Sequence, residues 1–137
     1  MVDRELVLKR IDLLEKRMNY LKGIEKFDKQ EYSNDQDIYF RYERALHLAI
    51  EAVIDLGNHL IADQNFRTPE SNRDIFKVLF ENKIINNNLY SNLKNMAGFR
   101  NILVHDYLTL DRELEYEIIK NSLGDFRKFM EIVAEYI

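Results

Sequence analysis

Apolar residues recur every third or fourth position along nearly the whole of this chain, and a single proline, Pro69, falls in one of the few gaps. That spacing places side chains on one face of an α-helix, whereas a half-buried strand would alternate every second residue. Strand-like alternation of useful length is absent from the sequence. Val7, Ile11, Leu14, Met18 and Leu21 form one stripe, which predicts a helix from about Asp3 to Lys29 with Asp3 as its N-cap. Ile38, Tyr42, Ala45, Ala49, Val53, Leu56 and Leu60 form a second, over about Asp35 to Ala62. Asn65–Glu70 then breaks the pattern.

A short helix is expected from about Asn72 to Glu81, and another from about Leu89 to Val104. The last begins after Asp111, with Leu114, Ile118, Phe126, Met130 and Val133 on its apolar side; Gly124 is a weak point in it. The expected fold is all-α, an up-and-down bundle of four to five helices. At 137 residues it forms one domain spanning 1–137, long enough for a single core.

Hydrophobic residues make up 46% and charged residues 32%, as in ordinary water-soluble proteins. The absence of cysteine removes disulfides, thiolate metal sites and cysteine nucleophiles, and suits a reducing cytoplasm. Met1–Glu5 does not open a signal peptide, and no apolar run approaches the ~20 residues of a membrane span. The expected location is therefore cytoplasmic, with no membrane partner. A net charge of −4 argues against a protein that coats nucleic acid, but leaves room for a small basic site.

Chemistry concentrates in Arg100-Asn101-Ile102-Leu103-Val104-His105-Asp106-Tyr107. Arg100 and His105 lie about 140° apart on an unbroken helix, so they converge only if the helix ends near His105. A permanent cation, a group titrating near neutrality and a phenol suit metal-free RNA cleavage. Histidine can take the proton of an attacking 2′-hydroxyl or supply one to the leaving 5′-oxygen. Arginine offers a fork-shaped cation to the phosphoryl oxygens. The products would be a 2′,3′-cyclic phosphate and a 5′-hydroxyl. Spacing alone does not separate this from an arginine capping helix carbonyls beside a partly buried histidine.

The segment Met96–Tyr107 closely resembles the signature of HepT-like HEPN proteins: arginine, four residues, histidine, one residue, tyrosine. Arg44–Ala62 looks like that family's long central helix, and Pro69-Glu70-Ser71 and Asp125-Phe126-Arg127 sit where the family would put them. The likeness runs from about residue 38 to the end. It implies a HEPN-type homodimer with its cleft at the subunit interface, and a metal-independent endoribonuclease toxin acting on RNA, with tRNA as the target suggested by family analogy. It implies Arg100 and His105 as catalytic residues, supported by Asn101 and Asp106. It also implies a minimal nucleotidyltransferase (MNT) antitoxin as partner, which silences the toxin by AMPylation of Tyr107. A competing function class is a non-catalytic module that binds a nucleotide or a nucleotidyltransferase.

Glu51 and Asp55 lie four apart on the second helix, opposite its apolar stripe. They are either a solvated face or the carboxylates that hold Arg100. His47 and His59 are not at a metal-binding interval, so neither metal nor cofactor is expected. Arg73, Lys77, Lys83 and Lys94 suggest a basic rim or scattered surface charge. Tyr90 and Phe99 suit base stacking or, more simply, packing.

Overall fold

The computed structural model describes residues 3–105 and 109–136, and the description below is confined to them. Six α-helices follow in order: α1 (Arg4–Leu21), α2 (Lys29–Asn34), α3 (Gln36–Asp63), α4 (Asn72–Glu81), α5 (Asn87–His105) and α6 (Arg112–Glu135), with a 3₁₀ turn at Lys22–Lys26 after α1. No strand occurs among the described residues. The all-α expectation holds. The count of four to five rises to six because the predicted first helix stops at Leu21, and the short α2 follows it.

Local chemistry sets the starts. Asp3, Asp28, Asp35, Ser71 and Asp111 each accept a hydrogen bond from a backbone N–H of the first turn of the helix they precede. At Asp28 the bond is reciprocated by Glu31, completing a capping box. Just past the end of α1 the Tyr42 hydroxyl lies over Gly23, where an added Cβ would meet its oxygen at 2.6 Å. Ile24 and Phe27 still face inward through the turn, so the apolar pattern continues although the helix does not.

α3 is the axis of the bundle. It packs against α1, α2, α4, α5 and α6 and buries residues from Ile38 to Ile61 along its length. Each large aliphatic side chain so buried contributes about 1.5–3 kcal/mol. α3 carries a window of mean hydropathy 1.3, apolar and long enough to cross a membrane by that measure alone. A helix surrounded by five others has the same composition for a different reason: its apolar faces meet protein.

α1 runs antiparallel to α3. Arg10 meets Asp55, and ten residues further along α1 the Tyr20 ring packs on Tyr42, with centroids 5.1 Å apart. α5 is antiparallel to α3 on the other flank, where Arg100 meets Glu51 and Leu103 lies beside His47 and Arg44. The exposed ridge of α3 is thus bordered by α1 on one side and α5 on the other.

Two glycines make opposite demands. A Cβ on Gly57 would stand 2.7 Å from Ile75 Cγ2, so α3 and α4 approach at that point only because the side chain is missing. Gly124 in α6 has nothing within 4 Å of its would-be Cβ, and α6 passes through it unbroken. Gly57→Ala is expected to lose about 1–2 kcal/mol, overpacking outweighing helix propensity. Gly124→Ala is expected to gain roughly 0.5–1 kcal/mol. Urea denaturation of both variants, with unchanged slopes, checks the two signs.

Candidate active site

The polar ridge of α3 carries Glu43, Arg44, His47, Glu51 and Asp55, and three of these carboxylates each hold an arginine from a different helix. Glu51 Oε1 accepts from Arg100 Nε of α5 at 2.6 Å. Glu43 Oε1 accepts from Arg112 Nη1 of α6 at 2.8 Å. Asp55 Oδ2 lies 2.7 Å from Arg10 Nε of α1. Of the two carboxylates considered for Arg100, therefore, Glu51 reaches it and Asp55 is engaged elsewhere. Asp55 also stands 3.7 Å from His59 Nε2, one turn along.

Arg100 sits five residues before the end of α5 and is about one-quarter exposed. Glu51 engages Nε alone, so both Nη groups remain uncommitted among the described residues. The same Glu51 oxygen lies 3.3 Å from His47 Nε2, and His47 Nδ1 lies 3.5 Å from Arg44 Nη1. The guanidinium plane of Arg100 is thereby fixed against a short polar chain running along α3.

His105 is the last residue of α5 and is exposed, as is Asn101. α5 remains helical through His105, so the five-residue spacing leaves Arg100 and His105 on different faces. No hydrogen bond or ion pair joins them among the described residues. Asp106 and Tyr107 lie outside the described residues.

Several of the other candidates are structural. Phe99 is core. Tyr90 stacks on Phe80 at 4.9 Å, with Lys94 over its ring. The Arg73 guanidinium lies over the backbone of Gly98, a close approach that the missing side chain permits. Among the described residues no group of histidines and carboxylates converges as a metal would require.

A cluster not foreseen from sequence pins the start of α6. Arg112 stacks on Tyr39 at 4.0 Å and bonds Glu43 and Glu115; Glu115 is fully buried and accepts from the Tyr32 hydroxyl. In sequence, an arginine after an N-cap aspartate reads as a solvated first turn. The only signal available was the aromatic pair Tyr39-Phe40. With Arg100 on Glu51, this cluster ties both sides of the α5–α6 connection to α3.

Burial pushes the Glu115 carboxyl up to about 7, partly offset by its bonds to Tyr32 and Arg112. A carboxyl raised above its ordinary 4.5 contributes its full stability below that value and loses it as pH climbs through about 7. The thermal midpoint should therefore carry a falling component between pH values of about 5 and 8. Glu115→Gln should flatten it; an unchanged profile in a folded variant would contradict the assignment.

A family model described as Ribonuclease HepT-like matches residues 8–133. The chain is 33% identical over 118 residues to the mRNA nuclease HepT of Shewanella oneidensis, covering 86% of each protein. It is 22% identical to the tRNA nuclease HepT of Aphanizomenon flos-aquae, over 99% of this chain and 92% of that one. Among solved structures it resembles the tri-AMPylated Shewanella oneidensis HEPN toxin in complex with MNT antitoxin. The TM-score there is 0.88, with 28% identity, over 97% of this chain and 99% of that chain.

Proposed function

The chain belongs to the HepT-like ribonuclease family, and from that premise we propose that it is the endoribonuclease toxin of a toxin–antitoxin pair, cutting RNA in the cytoplasm without a metal ion. The observation that carries the reading is the state of Arg100. Among the described residues Glu51 holds its Nε and leaves both Nη groups uncommitted, in the helix that His105 closes. Two parallel N–H donors are what a phosphodiester's non-bridging oxygens accept, and charge developing on those oxygens is stabilised most by a cation that does not have to reorganise.

His105 removes the 2′-hydroxyl proton, and the oxygen attacks the adjacent phosphorus. The bond to the 5′-oxygen breaks, leaving a 2′,3′-cyclic phosphate, and the departing oxygen takes a proton from water or from the imidazolium so formed. Exposure of His105 leaves its imidazole open to an RNA strand. Because Arg100 and His105 point from different faces of α5, the reading calls for two protomers in a homodimer, each completing the other's site across the cleft. Asn101 and Asp106 support the segment, and Glu51 acts as a positioning residue for Arg100.

The partner in this reading is an MNT-type nucleotidyltransferase. Transfer of AMP from ATP to the Tyr107 hydroxyl, with pyrophosphate leaving, adds bulk and negative charge two residues after His105 in the chain, which would oppose an RNA phosphate at Arg100 and His105. The similarity to a tri-AMPylated toxin held by its antitoxin supports this. The relatives' names divide between mRNA and tRNA, so the target is best put as RNA, with tRNA the first substrate to try.

Purified protein should cleave RNA in EDTA and leave cyclic-phosphate ends. His105→Ala should lower the rate about 10²–10⁴-fold, and Arg100→Ala about 10²–10³-fold. Glu51→Gln, which loosens the guanidinium without removing it, should cost up to about 10²-fold, mostly in kcat. Full activity in folded Arg100→Ala or His105→Ala would overturn the mechanism. RNA left intact by the unmodified protein, with nucleotidyltransferase binding retained, would instead favour a non-catalytic module.

A further inference from the structure

Three shallow depressions on the α1–α3 side of the molecule join into one trough. The first, of about 270 Å³, is lined by Arg10 and Arg17 of α1 and by Leu48 and Asp55 of α3. The second, of about 390 Å³, shares Arg17 and Leu48 with it and adds Tyr20, Phe40, Arg41 and Arg44. The third, of about 150 Å³, shares Phe40 and Arg44 with the second and reaches Leu103 of α5, two residues before His105. From Asp55 to Arg41 the trough follows α3 for about 21 Å.

Its charge is opposite to that of the protein. The net charge of the chain is −4, yet the trough is lined by four arginines and by Glu43, Glu51 and Asp55. All three carboxylates are already bound, to Arg112, Arg100 and Arg10. Arg17, Arg41 and Arg44 meet no carboxylate among the described residues; Arg41 bonds only the Asp37 carbonyl and Arg44 only the His47 ring. Between these cations the Tyr20 and Phe40 rings stand about 40% exposed. Tyr20 also packs on Tyr42, and Phe40 on Tyr39 and Arg112, so each offers only its exposed part. Guanidinium groups interleaved with partly exposed aromatic rings are the two components that hold single-stranded nucleic acid, phosphates on one and bases on the other.

We propose that this trough is the path of the substrate RNA, with Arg17, Arg41 and Arg44 taking backbone phosphates and Tyr20 and Phe40 facing bases, and that it leads the strand over the α3 ridge to Arg100 and His105. The proposal rests on the ribonuclease reading above and extends it to a substrate-binding surface. None of the three arginines touches the reacting atoms, so their contribution is to affinity and to its salt dependence.

The test is RNA binding by the full chain carrying His105→Ala, which holds a labelled oligonucleotide without cutting it, across a salt series. Each lost phosphate contact lowers the slope of log affinity against log salt by about 0.7 for a single strand. Arg17→Gln, Arg41→Gln and Arg44→Gln combined should lower it by about 2 and weaken binding on the order of 50-fold at physiological salt. Lysine at the same three positions should restore the slope. Tyr20→Leu with Phe40→Leu should weaken binding with the slope unchanged. If His105→Ala binds RNA and the glutamine variant leaves the slope intact, the trough is not the path, while the ribonuclease reading stands. A change of oligomeric state with the slope intact would give the face to a second copy and overturn the proposal. If the unmodified protein neither binds nor cuts RNA, both readings fall together.

Discussion

Everything in this bundle is hung on one helix that has to satisfy two incompatible environments. α3 is 28 residues long and buried by five neighbours, so most of its circumference must be apolar. The narrow strip left over faces water. That strip carries Glu43, Glu51 and Asp55, and each carboxylate ties down an arginine from a separate helix: α6, α5 and α1. The Arg10 and Arg100 pairs are exposed enough to add little to stability, whereas the Arg112 pair is mostly buried. Their effect is geometric, because they fix where three guanidinium groups lie relative to a common axis.

That arrangement explains how an acidic chain can present a basic surface. The carboxylates of the ridge are spent on arginines beneath or beside it, and the arginines without carboxylate partners lie along the rim. Net charge is a sum over the whole surface, whereas an approaching polyanion responds to the potential within about one screening length, roughly 8 Å at physiological salt. The two can differ in sign without contradiction.

The sequence made the large features plain wherever periodicity coincided with a cap. The apolar stripes placed the starts of α3, α4 and α6 almost to the residue, and the structure finds Asp35, Ser71 and Asp111 capping them. The break after Leu21 was hidden, because Ile24 and Phe27 keep the apolar spacing through the 3₁₀ turn, and the approach of Tyr42 to Gly23 there is a tertiary contact. At the site, the pairing of Glu51 with Arg100 was one of two readings, and its neighbour Asp55 shows why pattern alone could not choose. Residues four apart share a ridge, but α1 and α5 approach that ridge from opposite sides, and each takes one carboxylate. The Arg112–Glu115–Tyr32 cluster was invisible, since Tyr32 lies 83 residues from Glu115 in the chain.

One consequence of the Arg100–Glu51 bond concerns when a cost is met. A free arginine side chain surrenders up to about 2 kcal/mol of rotamer entropy when it settles on a ligand. Here the carboxylate has already taken Nε and fixed the plane, so that ordering was completed when the chain folded. A ligand arriving at the Nη edge meets a group that has little left to lose. Lysine could also bond one partner while offering its remaining N–H groups, but its rotating ammonium presents no fixed parallel pair of donors.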